Sequence, residues 1–197
     1  RNNTLYIKTT NAGVANYGIQ VADSYAWTDM SEPVNSPHNV TIMGNDVVLE
    51  SADMAYGITV IALCAMDMVE YDDEFVINNN IIGNNVTITS DTGAIGIGLK
   101  SPDSKVTDNG VTIASDVTKD IQCKADPEFG DESAAIFINN YADMNGPLPN
   151  NVVTLNSIMA NVNPIRITEN DEDIETIKQS INDCINYSNK KLIIVID

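Results

Sequence analysis

Short runs of alternating aliphatic and polar residues recur along the chain, each closed by turn residues, and the clearest is Asn84-Asn85-Val86-Thr87-Ile88-Thr89-Ser90. Val86 and Ile88 stand on one side of a period-two strand, Thr87 and Thr89 on the other. The pattern returns as Asn3-Thr4-Leu5-Tyr6-Ile7-Lys8-Thr9, Asn45-Asp46-Val47-Val48-Leu49-Glu50-Ser51, Asn109-Gly110-Val111-Thr112-Ile113-Ala114-Ser115 and Asn151-Val152-Val153-Thr154-Leu155-Asn156-Ser157. A second short strand follows each copy: Gly18-Ile19-Gln20-Val21, Gly57-Ile58-Thr59-Val60, Gly96-Ile97-Gly98-Leu99 and Pro164-Ile165-Arg166-Ile167. For the fourth copy, Asp120-Ile121-Gln122-Cys123 competes with Ala135-Ile136-Phe137-Ile138. The distance from Ser115 favours Ile121, which makes residues 124–147 an excursion with an extra strand. A third, weaker strand ends just before the next copy, at Val40-Thr41-Ile42, Asn79-Asn80-Ile81 and Val106.

Strands this short cannot bury an apolar face alone, but three strands and three turns wind into a coil that stacks on the next. The expected fold is all-β: a right-handed, single-stranded parallel β-helix of about five coils over residues 1–168, roughly 24 Å long at a strand spacing of about 4.8 Å. Its inward columns would be Leu5, Val47, Val86, Val111 and Val153; Ile7, Leu49, Ile88, Ile113 and Leu155; and Ile19, Ile58, Ile97, Ile121 and Ile165. Thr9, Ser51, Ser90, Ser115 and Ser157 would line one corner, where hydroxyls satisfy turn amides. Beyond Ile167 the period becomes helical, with Ile174, Ile177, Ile181, Cys184 and Ile185 behind the acidic Glu169 to Asp173. Carboxylates in a first turn complement the helix dipole. Residues 169–197 are therefore expected to form a capping helix, with Leu192 to Ile196 a buried strand or the lead-in to a following domain.

The long connections gather the residues best suited to binding. Residues 22–37 hold Tyr25 and the sole tryptophan, Trp27; residues 61–74 end in Tyr71-Asp72-Asp73-Glu74; residues 124–133 hold Phe129 and Asp131. These loops are expected to leave the coils by one corner and to stack into one lateral surface that bears the aromatic side chains and most of the acidic residues. Tyr25, Trp27, Tyr71, Asp72, Asp73, Phe129 and Asp131 are its candidate ligand-binding residues. The outward strand positions are Gln20, Thr59, Gly98, Gln122 and Arg166 on one sheet, and Tyr6, Val48, Thr87, Thr112 and Thr154 on another. None is a carboxylate, and acids are expected only in the loops. A glycosidase needs two carboxylates at a set separation, and a lyase needs a base beside a Ca²⁺-bound uronate. A polysaccharide lyase or hydrolase is thus the alternative reading, a purely structural stalk another, and a non-catalytic binding region the favoured one.

A net charge of −18 with only two arginines removes the positive footprint that nucleic acid or an anionic membrane requires. The longest apolar run, Ile58 to Val69, is too short to cross a bilayer and contains Asp67. Three cysteines cannot all pair, and they read as small buried hydrophobes. His38 stands alone in a turn, with no metal-ligand spacing around it. The acidic loops match no calcium-binding repeat, so no cofactor is expected and Ca²⁺ is at most an accessory. An opening at Arg1, without Met or signal-peptide pattern, reads as a piece of a longer protein. Asn2-Asn3-Thr4, Asn39-Val40-Thr41, Asn85-Val86-Thr87 and Asn186-Tyr187-Ser188 match the N-glycosylation acceptor pattern, three of them at structural turns.

The Asn-Asn-Val-Thr-Ile and Tyr-Gly-Ile-x-Val repeats, the Asn-rich and Arg-poor composition and the terminal Leu-Ile-Ile-Val-Ile-Asp resemble the large Asn/Thr-rich adhesin-like surface proteins of methanogenic archaea, over roughly residues 1 to 168. The resemblance implies a secreted, cell-surface, multidomain protein whose pectin-lyase-like region attaches to glycans or proteins of other cells. The long loops depart from the usual short-coil form.

Overall fold

The computed structural model describes residues 1–22, 37–62, 77–116, 133–139, 141–142, 146–147 and 151–168. These residues are all-β. The first sheet contains β1 (Thr4–Thr9), β4 (Asp46–Ser51), β7 (Asn85–Ser90), β10 (Gly110–Ser115) and β15 (Ser157–Ala160), in that spatial order. The second contains β2 (Asn16–Ala22), β5 (Ala55–Ile61), β8 (Ala94–Lys100), β11 (Ala134–Asn139) and β16 (Asn163–Thr168). The third contains β3 (Thr41–Met43), β6 (Asn80–Ile82), β9 (Lys105–Thr107) and β14 (Val152–Thr154). Every pairing within these sheets is parallel, and the chain visits first, second and third sheet in turn before returning to the first. Successive circuits stack as in a β-helix. A two-residue antiparallel pair, β12 (Tyr141–Ala142) with β13 (Gly146–Pro147), lies apart from them. The helix expected over 169–197 lies outside the described residues.

The columns form because each strand repeats the same alternation in register. Leu5, Val47, Val86 and Val111 stand opposite one another, as do Ile7, Leu49, Ile88 and Ile113. Val47, Val86 and Val111 are each 1 % exposed, so the first sheet turns a sealed aliphatic stripe inward. The second sheet contributes Ile19, Ile58, Ile97, Ile136 and Ile165. Three strand faces thus enclose one core, and burial of its side chains supplies the main driving force for the fold.

Two expectations are corrected by this register. The fourth strand of the second sheet is β11, pairing Ile136 with Ile97, so residues 134–139 fill the place that sequence spacing had favoured for Ile121. Its outward residue is Phe137, where Gln122 was expected. The fifth copy is also displaced. Val152–Thr154 belongs to the third sheet, with Val153 opposite Val106, while Ile158 and Ala160 continue the columns of the first sheet. Thr154 therefore yields its outward place to Met159, and Ser157 opens β15 instead of closing it. Leu155, expected inward, is 52 % exposed in a left-handed turn. Asn151-Val152-Val153 and Asn156-Ser157-Ile158 each place an aliphatic residue two positions after an asparagine, which is why reading by pattern caught the wrong one.

Two sets of corners are built by residues at positive φ. Asn2, Gly44, Gly83, Asp108 and Leu155 have φ of 57°, 66°, 62°, 58° and 56°, and each of the first four donates its N–H to a carbonyl of the following coil. Asn39, Asn78 and Asp103 repeat the conformation before the third sheet. Asparagine and aspartate tolerate this region better than other side chains that carry a Cβ. Gly57 answers a different constraint. A Cβ there would meet the Gly96 carbonyl oxygen at 2.3 Å and Val86 Cγ1 at 2.4 Å, so the bend in the second sheet has no room for a side chain.

Inside the corner leading to the first sheet runs a column of asparagines. The backbone N–H and the side-chain Nδ2 of Asn3 both donate to Asn45 Oδ1, and Asn45 does the same to Asn84, Asn84 to Asn109 and Asn109 to Asn156, at 2.9–3.0 Å. The remaining amide protons of Asn84, Asn109 and Asn156 reach the carbonyls of Ile42, Ile81 and Val106. A second column, Asn79, Ser104 and Asn151, does the same work before the third sheet. At the corner leaving the first sheet, Thr9 and Ser51 accept from Asn16 Nδ2, Ser90 bonds Ser115, and Asn161 closes the row on Ser115. Buried Asp53 ties three coils together, accepting from Gly13 N–H, Met54 N–H and the Thr92 hydroxyl.

Candidate functional site

The second sheet differs from the others in having strands buried on both sides: every residue of β5 and β8 is buried. Its outward positions make a second apolar cluster, separate from the core, of Met54, Tyr56, Ile61, Ile95, Ala134 and Phe137, with Ala15 and Tyr17 packed against it. Tyr17 and Tyr56 follow from the Tyr-Gly-Ile repeat and stack with ring centroids 4.8 Å apart and planes 8° from parallel. At the other end of the sheet the Arg166 guanidinium lies 4.9 Å over the Phe137 ring, a cation–π contact. Between them stands Thr59, opposite Gln20 and Gly98. Its hydroxyl is the one described side-chain polar atom that is buried with no hydrogen-bond partner. Lys100, at the end of β8, is 4 % exposed.

The long connections join this sheet at its edges. The chain leaves β2 after Ala22 and is next described at Pro37; it leaves β5 after Ile61 and, past Ala62, is next described at Ile77. Because Ala22 and Ile61 are register partners, these two connections start from the same corner on adjacent coils. Residues 117–132 instead separate β10 from β11, so that in chain order they precede a strand of the second sheet where the other two connections follow one. Phe129 and Asp131 are therefore strung from a different corner than Tyr25, Trp27, Tyr71, Asp72 and Asp73. All seven candidate side chains lie outside the described residues. Tyr17, Tyr56 and Phe137 were not among the sequence candidates. The alternation at Tyr17 and Tyr56 carried the signal, and Phe137 was hidden by the preference for Ile121.

The outward face of the first sheet is open to solvent and corrects one further expectation, that acids occur only in loops. Asp46 and Glu50 both lie on β4. Glu50 accepts from Tyr6 Oη at 2.8 Å and from Lys8 Nζ across to β1. The bond from Lys8, and after it the bond from Tyr6, holds the Glu50 carboxyl below its ordinary pKa. The same contacts push Lys8 and the Tyr6 phenol up. With a cation on one oxygen and a phenol on the other, Glu50 is a satisfied surface ligand of its neighbours. Among the described residues no group of three or more His, Cys, Asp or Glu side chains is placed to hold a metal ion, and no helix is long and apolar enough to cross a membrane.

No family model, curated protein or solved structure matches the chain.

Proposed function

We propose that the chain is the binding region of an extracellular, adhesin-like cell-surface protein. In this reading it is a right-handed parallel β-helix whose last residues, 169–197, close one end, and it binds glycans or proteins of other cells without catalysis. The observation that supports it is the second sheet: its strands β5 and β8 are buried on both sides, it is braced by the Tyr17–Tyr56 stack and the Arg166–Phe137 contact, and its strands β2, β5 and β11 adjoin in chain order every long connection that holds a candidate aromatic residue. A rigid scaffold presenting variable loops is a recurrent design for recognition. The outward strand positions favour binding over hydrolysis, since Glu50 is engaged by Lys8 and Tyr6 and the second sheet carries Arg166, Gln20 and Thr59 in place of a carboxylate pair.

A glycan array comparing the wild type with a Trp27→Ala/Tyr71→Ala variant tests the reading. Glycans bound by the wild type and lost from the variant are the expected result. Equal binding by both removes the aromatic face, and release of unsaturated products from polyuronates in the presence of Ca²⁺ replaces binding with lyase chemistry.

A further inference from the structure

Of the asparagines in the described residues, Asn16, Asn45, Asn79, Asn84, Asn109, Asn151 and Asn156 are buried. None of these seven has Ser or Thr two residues on. The described asparagines that do are Asn2, Asn39 and Asn85, and in each case both the asparagine and the following threonine, Thr4, Thr41 or Thr87, are exposed. The acceptor pattern has thus been kept off the structural columns and falls on reachable side chains.

Asn39 and Asn85 differ in what their amide nitrogens do. Asn85 lies within β7, and its Nδ2 donates to the Asp46 carboxylate at 2.9 Å, a charge-assisted bond that holds the nucleophilic atom. Asn39 lies in a turn at φ 54°, just ahead of β3. Its Oδ1 accepts from Asn78 Nδ2 at 3.3 Å, its backbone N–H reaches the Ile77 carbonyl, and its own Nδ2 has no partner. The oxygen is turned toward the next coil and the nitrogen is left to solvent.

We propose that Asn39 is a site of N-linked glycosylation on the folded chain and that Asn85, despite its matching tripeptide, is not. The co-reactant is a lipid-pyrophosphate-linked oligosaccharide presented by a membrane transferase. Asn39 Nδ2 attacks the anomeric carbon, the new C–N bond forms as the C–O bond to the pyrophosphate breaks, and the lipid pyrophosphate departs with the bonding pair. The transferase takes the proton lost from the amide. Thr41, exposed at the start of β3, supplies the hydroxyl the tripeptide requires. In the cell this modification rests on the extracellular reading above, because only an exported chain meets such a transferase; the chemistry of the site does not.

The test uses the purified folded chain in an Asn2→Gln/Asn186→Gln background, with a single-subunit transferase that requires only Asn-x-Thr and its lipid-linked donor, read by peptide mass spectrometry. The expected result is a mass shift on the peptide holding Asn39, lost in Asn39→Gln and Thr41→Ala, with Asn85 unmodified. A short synthetic peptide around Asn85 should accept the sugar, which assigns its silence to the fold. An unmodified Asn39 overturns the proposal, and so does equal occupancy of Asn39 and Asn85. Circular dichroism of the variants separates loss of the acceptor from loss of the fold. Because the reaction is run in vitro, its failure leaves the extracellular reading standing, and the glycan array decides that reading separately.

Discussion

Leu155 is a misfit among the corner residues. It shares the left-handed conformation of Gly44 and Gly83 but carries a branched side chain that is 52 % exposed, so it suffers the steric cost with little burial to offset it. Leu155→Gly should raise stability by about 1 kcal/mol, seen as a higher denaturant midpoint at unchanged slope. Glu50 makes a second prediction. Its folded pKa is depressed, so the stabilisation from its bonds to Lys8 and Tyr6 is present above the unfolded-state pKa and is lost as pH falls through the folded value. Lys8 works in the opposite sense: its raised pKa gives stabilisation that is complete below the unfolded value and is lost as pH rises through the folded one. In Lys8→Ala the Glu50 carboxyl should titrate closer to its ordinary range, followed by NMR; an unmoved titration would show that Lys8 does not hold it.

At the scale of the element, the asparagine column can be tested rung by rung. Asn84 makes bonds to Asn45, Asn109 and the Ile42 carbonyl in a buried corner, so Asn84→Ala leaves several polar groups with no partner. It should cost about 3 kcal/mol, whereas Asn3→Ala, at an exposed position, should cost under about 1 kcal/mol. Equal losses in thermal or chemical unfolding would mean that the column is ornamental. Most of this element-level architecture was legible before any coordinates. The Val47, Val86 and Val111 register could be read from spacing because the three coils share one alternation and one turn. Coils four and five resisted. There the interval between first and second strand grows to hold residues 117–132, and a third-sheet strand imitates a first-sheet one. Periodicity specifies which way a side chain points, but only pairing decides which sheet a strand joins. For the same reason the second apolar cluster went unseen: alternation marks Tyr56 and Phe137 as outward, and nothing in it says that an outward face will be buried.

For the molecule as a whole, charge is the dominant long-range term. A chain at −18 repels itself, and screening relieves that repulsion. Added sodium chloride at neutral pH should therefore raise the melting temperature, even though it weakens the exposed Lys8–Glu50 pair. A fall in melting temperature would show that local ion pairs outweigh the net field. The candidate binding residues were legible as residue types, from aromatic and acidic side chains placed in long connections, but the corners from which they spring were not. Residues 117–132 lead into a strand of the second sheet where the other two connections lead out of one, which only the placement of β11 reveals.

The amide column also gives the stack a direction. Every rung hands its protons the same way, from Asn3 toward Asn156, so the side-chain dipoles align and polarise one another as in a wire of like-oriented magnets. A further turn laid against β1 must therefore arrive as a giver of protons, and one laid against β15 as a taker. Splicing, whether by recombination or by an engineer, can lengthen this rod only with modules that face forward.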